Sequence, residues 1–490
     1  MMTQIVGYLY MAVLAGLTIY AVHILILIAL YLWHRREPQP PTPHLEPDHY
    51  PHVTVQIPLR NERRVAVRIL EAVAALDWPR DRLEIQVLDD SDDGTTALAR
   101  ATAACLREQG HTIHVLHRSQ PIGNKAGALA AGLAECRSDY IAIFDADFCP
   151  APDFLQRTIP HLVAEPQLGM VQARWGHLNA EYSPITRAQA LALDAHFTVE
   201  HLARNRAGLL LNFNGTAGVW RRTAIESAGG WQADTLTEDL DLSYRAQLAG
   251  WQIRYLPDVV APAELPPFTT AFKQQQYRWA KGAAQTLRKL AGPLIRSQRL
   301  TWYQKLMALL HLSGYFSQPL LLAMLLLTLP MIRYNPHLPQ LVAAMGAVTM
   351  IPPLLYVLGQ LALYRDWWQR SLYYPVLMLL GIGLVWNTTL ALWDGLRHWG
   401  GDFNRTPKFH LRGRRGPHKR PTYAPPRDRA FLGDLCLGIY ALVAVYYAAQ
   451  LQQAALLPFI LIYVAGELLM ISGTLYLHRA AKSPEKITRT

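Results

Sequence analysis

Cysteine is scarce: Cys105, Cys136, Cys149 and Cys436 are the four in 490 residues, with neither paired nor metal-ligand spacing. That argues against a disulfide framework and a cysteine-based metal site, and it fits reduced thiols in a protein that faces the cytosol. Charge is also scarce, at 17% of residues, and the shortage is local. Ile5–Trp33 and the runs near 309–332, 341–364, 430–450 and 454–477 are apolar over on the order of 20 residues, the length that spans a bilayer. These runs hold few of the ionisable residues that transporters use within their spans, which argues against a transporter. The first run lacks a basic leading segment and a small-residue cleavage site, so it is expected to stay attached as an anchor. Basic charge is in excess, at +11 net, but it collects beside apolar runs, as in His34-Arg35-Arg36 and Arg412–Arg420. That placement suits lipid headgroups and membrane topology, not nucleic acid.

Residues 50–300 carry ordinary charge density. Val53–Pro58, Glu84–Leu88, Ile113–Leu116 and Tyr140–Phe148 read as strands, and Asn61–Leu76, Thr95–Arg107 and Lys125–Glu135 have helical periodicity. This alternation implies a mostly parallel, doubly wound sheet whose ligands sit beyond the carboxyl ends of its strands. The polar clusters fall where that rule puts them. Leu59-Arg60-Asn61-Glu62 follows the first strand, Asp89-Asp90-Ser91-Asp92-Asp93 the second, Arg118 with Gly123-Asn124-Lys125 the third, and Asp145 with Asp147 the fourth. A single such cluster is an ordinary solvated loop; four at successive strand exits make a site. Residues i and i+2 of a strand project the same way, so Asp145 and Asp147 are expected to face one divalent ion that leaves open positions for a diphosphate.

In their order and separation, "VLDDSDDGT", "GNKAGAL", "FDADF", "TLTEDLDLSYRAQLAGW" and "QQQYRW" resemble the inverting family-2 glycosyltransferases of the cellulose-synthase superfamily. The resemblance is greatest to the cellulose-synthase-like mannan and glucan synthases, and it runs from about residue 50 through the loop near 410. It implies an α/β, GT-A-type, doubly wound nucleotide-sugar-binding domain inserted between α-helical transmembrane segments. Asp90, with Asp89, would hold the nucleobase and ribose; Asp145 and Asp147 would bind Mg²⁺ or Mn²⁺; Lys125 would lie near the donor's phosphates or sugar. In Thr237-Glu238-Asp239 the implied base is Asp239, flanked by Glu238, and single displacement would turn an α-linked donor into a β-linkage. Thr235 or Thr237 ahead of that acidic pair also reads as a helix cap. Gln275, Arg278 and Trp279 would serve the diphosphate and a stacked sugar. Phe213-Asn214-Gly215 resembles an acceptor-side loop. Phe403-Asn404-Arg405-Thr406-Pro407-Lys408 resembles a gating loop that brings Thr406 and Lys408 to the diphosphate.

Arg35 and Arg36 place the following domain on the cytoplasmic side, and Pro38–Pro51 reads as a linker. Counting Ser371–Trp393 as a span would throw the basic loop Arg405–Arg420 to the side opposite the domain it must touch. That run is therefore expected to be interfacial or re-entrant, which leaves five spans and an outside N-terminus. The expected division is an anchor at 1–36, a linker at 37–52, a catalytic domain at 53–300, transmembrane and interfacial helices at 301–400, a gating loop at 401–428, two further spans at 429–478 and a cytoplasmic tail at 479–490. The resemblance implies a hexosyltransferase of the inner or plasma membrane. Its partners would be a nucleotide sugar, UDP-glucose or GDP-mannose, a growing polysaccharide and the bilayer. Processive synthesis with extrusion of a β-glycan is one expected outcome; transfer to a lipid acceptor is the alternative.

Overall fold

The structure, a computed structural model, describes residues 2–334, 346, 348, 350–401, 405–414, 428 and 430–482. Phe403 and Asn404 of the expected gating loop, residues 415–427 and the tail beyond 482 lie outside the described residues. Helix α1 (Met2–His34) leads through the proline-rich segment to β1 (Val53–Leu59). Then come α2 (Ala66–Ala74), β2 (Leu83–Asp89), α3 (Thr95–Glu108), β3 (Thr112–His117), α4 (Asn124–Glu135), β4 (Tyr140–Ile143), α5 (Phe154–Ala164) and β5 (Leu168–His177). α6 (Pro184–Ala195) passes through a π-helical turn, His196–His201, into α7 (Leu202–Arg206). β6 (Gly218–Arg221), α8 (Arg222–Ser227), α9 (Glu238–Ala249), β7 (Gln252–Ala263) and the long α10 (Thr269–Arg296) follow.

The seven strands form one sheet in the order β3-β2-β1-β4-β6-β5-β7. β1 to β4 are parallel, and helices cover both faces, so β4 is apolar on both sides, whereas β1 puts Val53, Val55, Ile57 and Leu59 on one face and Thr54 and Gln56, hydrogen-bonded to Ser138 and Gln86, on the other. β4 shows how its residues are shared. Ala142 and Phe144 enter one core with Ile57, Ile69 and Phe154, while Ile141 and Ile143 enter the other with Leu129 and Trp220. Each fully buried side chain of this size contributes ~1.5–3 kcal/mol.

The sheet is mostly parallel, as expected, with one reversed strand: β6 runs antiparallel to both β4 and β5. The reason is its entry point. The chain reaches β6 at the carboxyl edge of the sheet, where Gly218 pairs Ile143, and it has to run back from there.

β4 is also shorter than its apolar run. Phe144 N still donates to Gln56 O at 3.1 Å, but Asp145 N turns to Thr216 Oγ1 at 2.9 Å and Phe148 N closes onto Asp145 O at 3.0 Å. Asp145 and Asp147 therefore lie in a turn beyond the strand. α2 starts at Ala66, not Asn61, because Asn61 adopts φ +57° and binds the second strand exit, its N donating to Ser91 Oγ (2.8 Å) and its Nδ2 to Asp92 Oδ1 (2.7 Å).

Met2–His34, Gly314–Tyr334, Phe431–Gln450 and Ala454–Leu477 are long and apolar enough to cross a membrane. Within the expected span at 341–364, the described helix is Ile351–Leu363, 13 residues long. The run 371–393 lies in two helices, Trp367–Gly383 and Val385–Arg397, bent by 47° at Leu384, the geometry of a broken span or a re-entrant segment. Buried polar contacts fasten these helices to the α/β domain. His23 Nε2 meets Arg204 Nη2 at 3.0 Å, Gln360 Nε2 donates to Asp194 Oδ2 at 2.9 Å, and Asn387 Nδ2 donates to Lys273 O at 3.0 Å.

Candidate active site

A cavity of about 440 Å³ opens across the carboxyl edge of the sheet and continues between the membrane-side helices. Asp90, Lys125, Asp145, Asp147, Asn214, Gly215, Glu238, Asp239, Gln275, Arg278, Trp279, Thr406 and Lys408 all line it. The strand exits, the start of α9 and one face of α10 thus converge.

At the second strand exit the two aspartates part company. Asp90 faces the cavity with its carboxylate gripped by Arg118, whose Nε and Nη2 donate at 2.7 and 2.6 Å. Asp89 does not line the cavity. It is fully buried and builds the loop, accepting from Ser91 N (3.1 Å) and Thr96 Oγ1 (2.6 Å) and meeting His117 Nδ1 at 2.9 Å. The two point apart because successive side chains at the end of β2 alternate faces.

At the fourth exit each acid has its own lysine. Lys125 Nζ lies 2.5 Å from Asp145 Oδ1 and donates to Gly215 O at 2.7 Å, while Lys408 Nζ lies 2.6 Å from Asp147 Oδ2. Burial works against both ammonium charges, yet Asp145 and Asp147 hold the two lysines above the ordinary lysine range. Among the described residues no group of three or more His, Cys, Asp or Glu is placed to hold a metal ion. Asp145 and Asp147 both line the cavity, and a hard divalent ion held by them would compete with Lys125 and Lys408 for their oxygens and take its remaining ligands from a diphosphate.

Glu238 and Asp239 open α9, near Lys125. Thr237 precedes them as N-cap residue without a side-chain cap, which corrects the cap expectation: its Oγ1 meets Thr286 Oγ1 on α10 at 3.2 Å instead. Burial pushes Glu238 up to about 7, with the Asp239 charge adding to the rise and Lys125 opposing it. Burial raises Asp239 as well, against Lys125 and the Leu240 N–H that donates to its Oδ1 at 2.8 Å. A carboxylate pair shifted toward neutrality suits a proton acceptor.

Gly215 brings the acceptor-side loop against this pair. Its φ is +81°, and a Cβ there would stand 2.8 Å from Asp239 Oδ2, so both backbone and space require glycine. Asn214 N donates to Gln172 Oε1 at 3.0 Å, and its side chain lies 3.2 Å from both His196 Nε2 and His201 Nε2. Phe213 does not line the cavity. Its ring is fully buried edge-on to Trp220, with centroids 5.8 Å apart, and it anchors the loop from below.

On α10, Gln275, Arg278 and Trp279 face the cavity within one turn and a half, with Gln276 beside them. Burial lowers the pKa of Arg278, and the charges of Glu238, Asp145 and Asp239 oppose that, so the guanidinium faces the acids. Thr406 is buried with no hydrogen-bond partner for Oγ1, and Arg405 pairs Glu62 at 3.1 Å. Burial pushes Glu62 up to about 7, against Arg405 and Lys408.

Several lining residues have no sequence motif to mark them. Glu62 stood at a strand exit without an assigned role, whereas Trp175, His177, His196, Gln276, Tyr315, Gln318 and Thr388 were not singled out as binding residues. The π-helical turn after α6 aims His196 into the cavity, and only a periodicity break in residues 184–206 could have hinted at it.

The fold, with acids at its strand exits, is that of a GT-A-type glycosyltransferase domain. The sequence matches the family described as "Glycosyltransferase like family 2" over residues 51–282. Curated relatives include glucomannan 4-beta-mannosyltransferase 1 of Oryza sativa subsp. japonica, 44% identical over 270 residues that cover 54% of this chain and 51% of that protein. Probable glucomannan 4-beta-mannosyltransferase 3 of the same organism is 34% identical over 436 residues, covering 86% and 78%. The chain spans about half the length of the first of these. Among solved structures, the mannosyltransferase PcManGT from Pyrobaculum calidifontis, in complex with GDP-Man and Mn²⁺, shares the fold at TM-score 0.50 and 24% identity, over 77% of this chain and 99% of that one. The chain belongs to the family-2 glycosyltransferases, and within them to the cellulose-synthase-like type.

Proposed function

We propose that this chain is a membrane-embedded, processive, inverting hexosyltransferase that lengthens a neutral β-linked glycan at its non-reducing end. One observation carries the reading: the cavity that holds the acids and lysines of a diphosphate site continues between membrane-side helices, past Gln318, Gly381 and Thr388. GDP-mannose is the first donor to test, since the curated relatives are named as mannosyltransferases and the solved neighbour holds GDP-Man. UDP-glucose is the second.

In this reading Asp90, fixed by Arg118, accepts from a base N–H. Asp145 and Asp147 would hold a Mn²⁺ or Mg²⁺ ion, which would supply positive charge against that of the departing diphosphate. Lys125, Arg278 and Lys408 add fixed positive charge around the same oxygens. Asp239 takes the proton of an acceptor hydroxyl as that oxygen forms its bond to the anomeric carbon, opposite the breaking bond to the diphosphate, so the anomer inverts. Trp279 offers a flat face to the sugar ring. Glu238 keeps a second acid beside the base, whose proton affinity is raised by burial and by the charge of Asp145.

The division into anchor, linker, catalytic domain, gating segment and closing spans belongs to the same proposal, with the catalytic domain on the cytoplasmic face of the inner or plasma membrane. Radiolabelled GDP-mannose and UDP-glucose, supplied to the purified chain in lipid, test it. Label in alcohol-insoluble polymer is expected; label confined to a lipid extract would instead establish the lipid-acceptor alternative.

A further inference from the structure

One wall of the cavity is used by none of these roles. β5 and β7 pair in register from Met170↔Ile253 to Ala173↔Leu256, break, and resume from Arg174↔Val260 to His177↔Ala263. β6 accompanies β5 only as far as Gln172. The last residues of β5 therefore rise as a two-stranded arm past the carboxyl edge, and irregularities of this kind re-aim side chains beside sites. Trp175 and His177 stand two residues apart on one face of that arm, and both line the cavity.

Both rings are held in place. Phe148 and Phe197 pack against Trp175 with centroids 5.2 and 5.3 Å away. His177 Nε2 lies 2.9 Å from Asp194 Oδ1, and Gln360 Nε2 donates to the other oxygen of Asp194 at 2.9 Å. Burial opposes a charge on Asp194, but His177 and these two hydrogen bonds hold its carboxyl below the usual range. The carboxylate thus accepts from Nε2–H, and in the neutral ring Nδ1 is left as an acceptor.

That Nδ1 has no hydrogen-bond partner, and neither has the Trp175 indole Nε1–H. Both atoms are closed to water and without a partner, so a ligand hydroxyl that reaches them as the lining side chains shift to admit it supplies hydrogen bonds that the free chain lacks. An N–H donor beside a ring-nitrogen acceptor complements a hydroxyl, which accepts at oxygen and donates its own hydrogen. The flanking aromatic surface suits the apolar face of a pyranose.

We propose that Trp175 and His177 form a subsite for an uncharged hexopyranose, hydrogen-bonding its hydroxyls through indole Nε1–H and imidazole Nδ1, with Asp194 as the positioning residue that fixes the imidazole. The proposal rests on the hexosyltransferase reading, and the hexose is either the donor's or the acceptor's terminal unit. The test uses the full chain in lipid nanodiscs, with GDP, UDP, GDP-mannose, UDP-glucose, β-1,4-mannohexaose and cellohexaose as probes.

Trp175→Phe and His177→Phe are expected to bind the nucleoside diphosphates within about twofold of the parent chain, and to bind or turn over a sugar-bearing probe with Kd or KM raised about tenfold, the size of one lost hydrogen bond. His177→Gln, whose carbonyl can accept, is expected to recover part of that loss, and Asp194→Asn to show a smaller one. Loss confined to the nucleotide sugars assigns the subsite to the donor hexose; loss confined to the hexasaccharides assigns it to the acceptor. Unchanged sugar affinity in both ring variants overturns the subsite and leaves the transferase reading standing. An equal loss for GDP and UDP makes the residues structural and overturns it too. A parent chain that transfers hexose from neither donor overturns both readings together.

Discussion

The two ends of the cavity differ in the way they are built. At the strand exits the lining carries charged groups that are already paired: Asp90 with Arg118, Asp145 with Lys125, Asp147 with Lys408, Glu62 with Arg405. On the membrane side, the described lining residues between 315 and 388 are Tyr315, Gln318, Leu377, Leu380, Gly381, Leu384 and Thr388, without one acidic or basic group. A diphosphate needs the first environment, because buried charge is tolerated only where opposite charge meets it. An uncharged polyol chain needs the second, with hydroxyl and amide partners set into apolar surface. In the proposed function, the charged end is the site that activates a leaving group and the uncharged end the path that holds a neutral glycan.

The strongest way to break this contrast is to remove the charge balance at the fourth strand exit. Asp147→Ala, or an excess of chelator, is expected to abolish donor binding and lower transfer by at least ~10³-fold, since charge stabilisation of several kcal/mol is lost there. Calorimetry with GDP and UDP beside a transfer assay checks both. Full transfer in excess chelator would show that Lys125 and Lys408 alone carry the diphosphate.

Asp239→Asn is expected to be next in size. It keeps the shape and loses the proton acceptor, so transfer falls by at least ~10²-fold while donor affinity stays. Equal losses in affinity and turnover would place Asp239 in the donor site.

The pH profile follows from the same pair. Burial raises both Asp239 and Glu238, Glu238 to about 7, so as the pH falls the pair takes up the proton that the base has to be without, and the rate is expected to fall with it, approaching tenfold per unit. Glu62 is also pushed up to about 7 and shares the window. Glu62→Gln should therefore leave the limb in place; its disappearance would move the controlling group to the Glu62–Arg405 pair.

The charged end was largely legible in the sequence, and the uncharged end was not. Strand-exit acids announce themselves because a run of apolar residues stops at them, and Asp90, Lys125, Asp145, Asp147 and Asp239 all lie on the cavity. Asp89 and Phe213 were indistinguishable from their neighbours in the same motifs. Which of two adjacent side chains faces the cavity depends on strand alternation and on partners such as Thr96 and Trp220, far from any pattern in the motif. The turn at Asp145 was hidden for a related reason: the residue that ends the strand is Thr216, 71 positions away. On the membrane side, Gln318 and Thr388 sit in apolar runs where a lone amide or hydroxyl looks incidental, and nothing but helix packing brings them to one cavity.

The smallest expected effect on chemistry, and the sharpest on the contrast, belongs to two glycines in the bent helix pair. A Cβ added at Gly383 would stand 2.6 Å from Gly466 O, so Gly383→Ala is expected to loosen helix packing and lower protein yield and activity together. Gly381 lines the cavity, and a Cβ there meets nothing within 4 Å. Gly381→Trp therefore starts from an open position and extends an indole into the path, and replacing glycine within a helix costs the fold nothing in propensity. If the glycan leaves along the uncharged wall, the first transfer to a short soluble acceptor should change by less than about twofold, since the charged end is untouched. The product should become markedly shorter, because each added unit has to move past residue 381. Chain length measured by gel filtration, against the initial rate with β-1,4-mannobiose, separates the two effects. Unaltered length in Gly381→Trp would mean that no polymer passes this wall, and the cavity's membrane end would then be a crevice for the lipid acceptor.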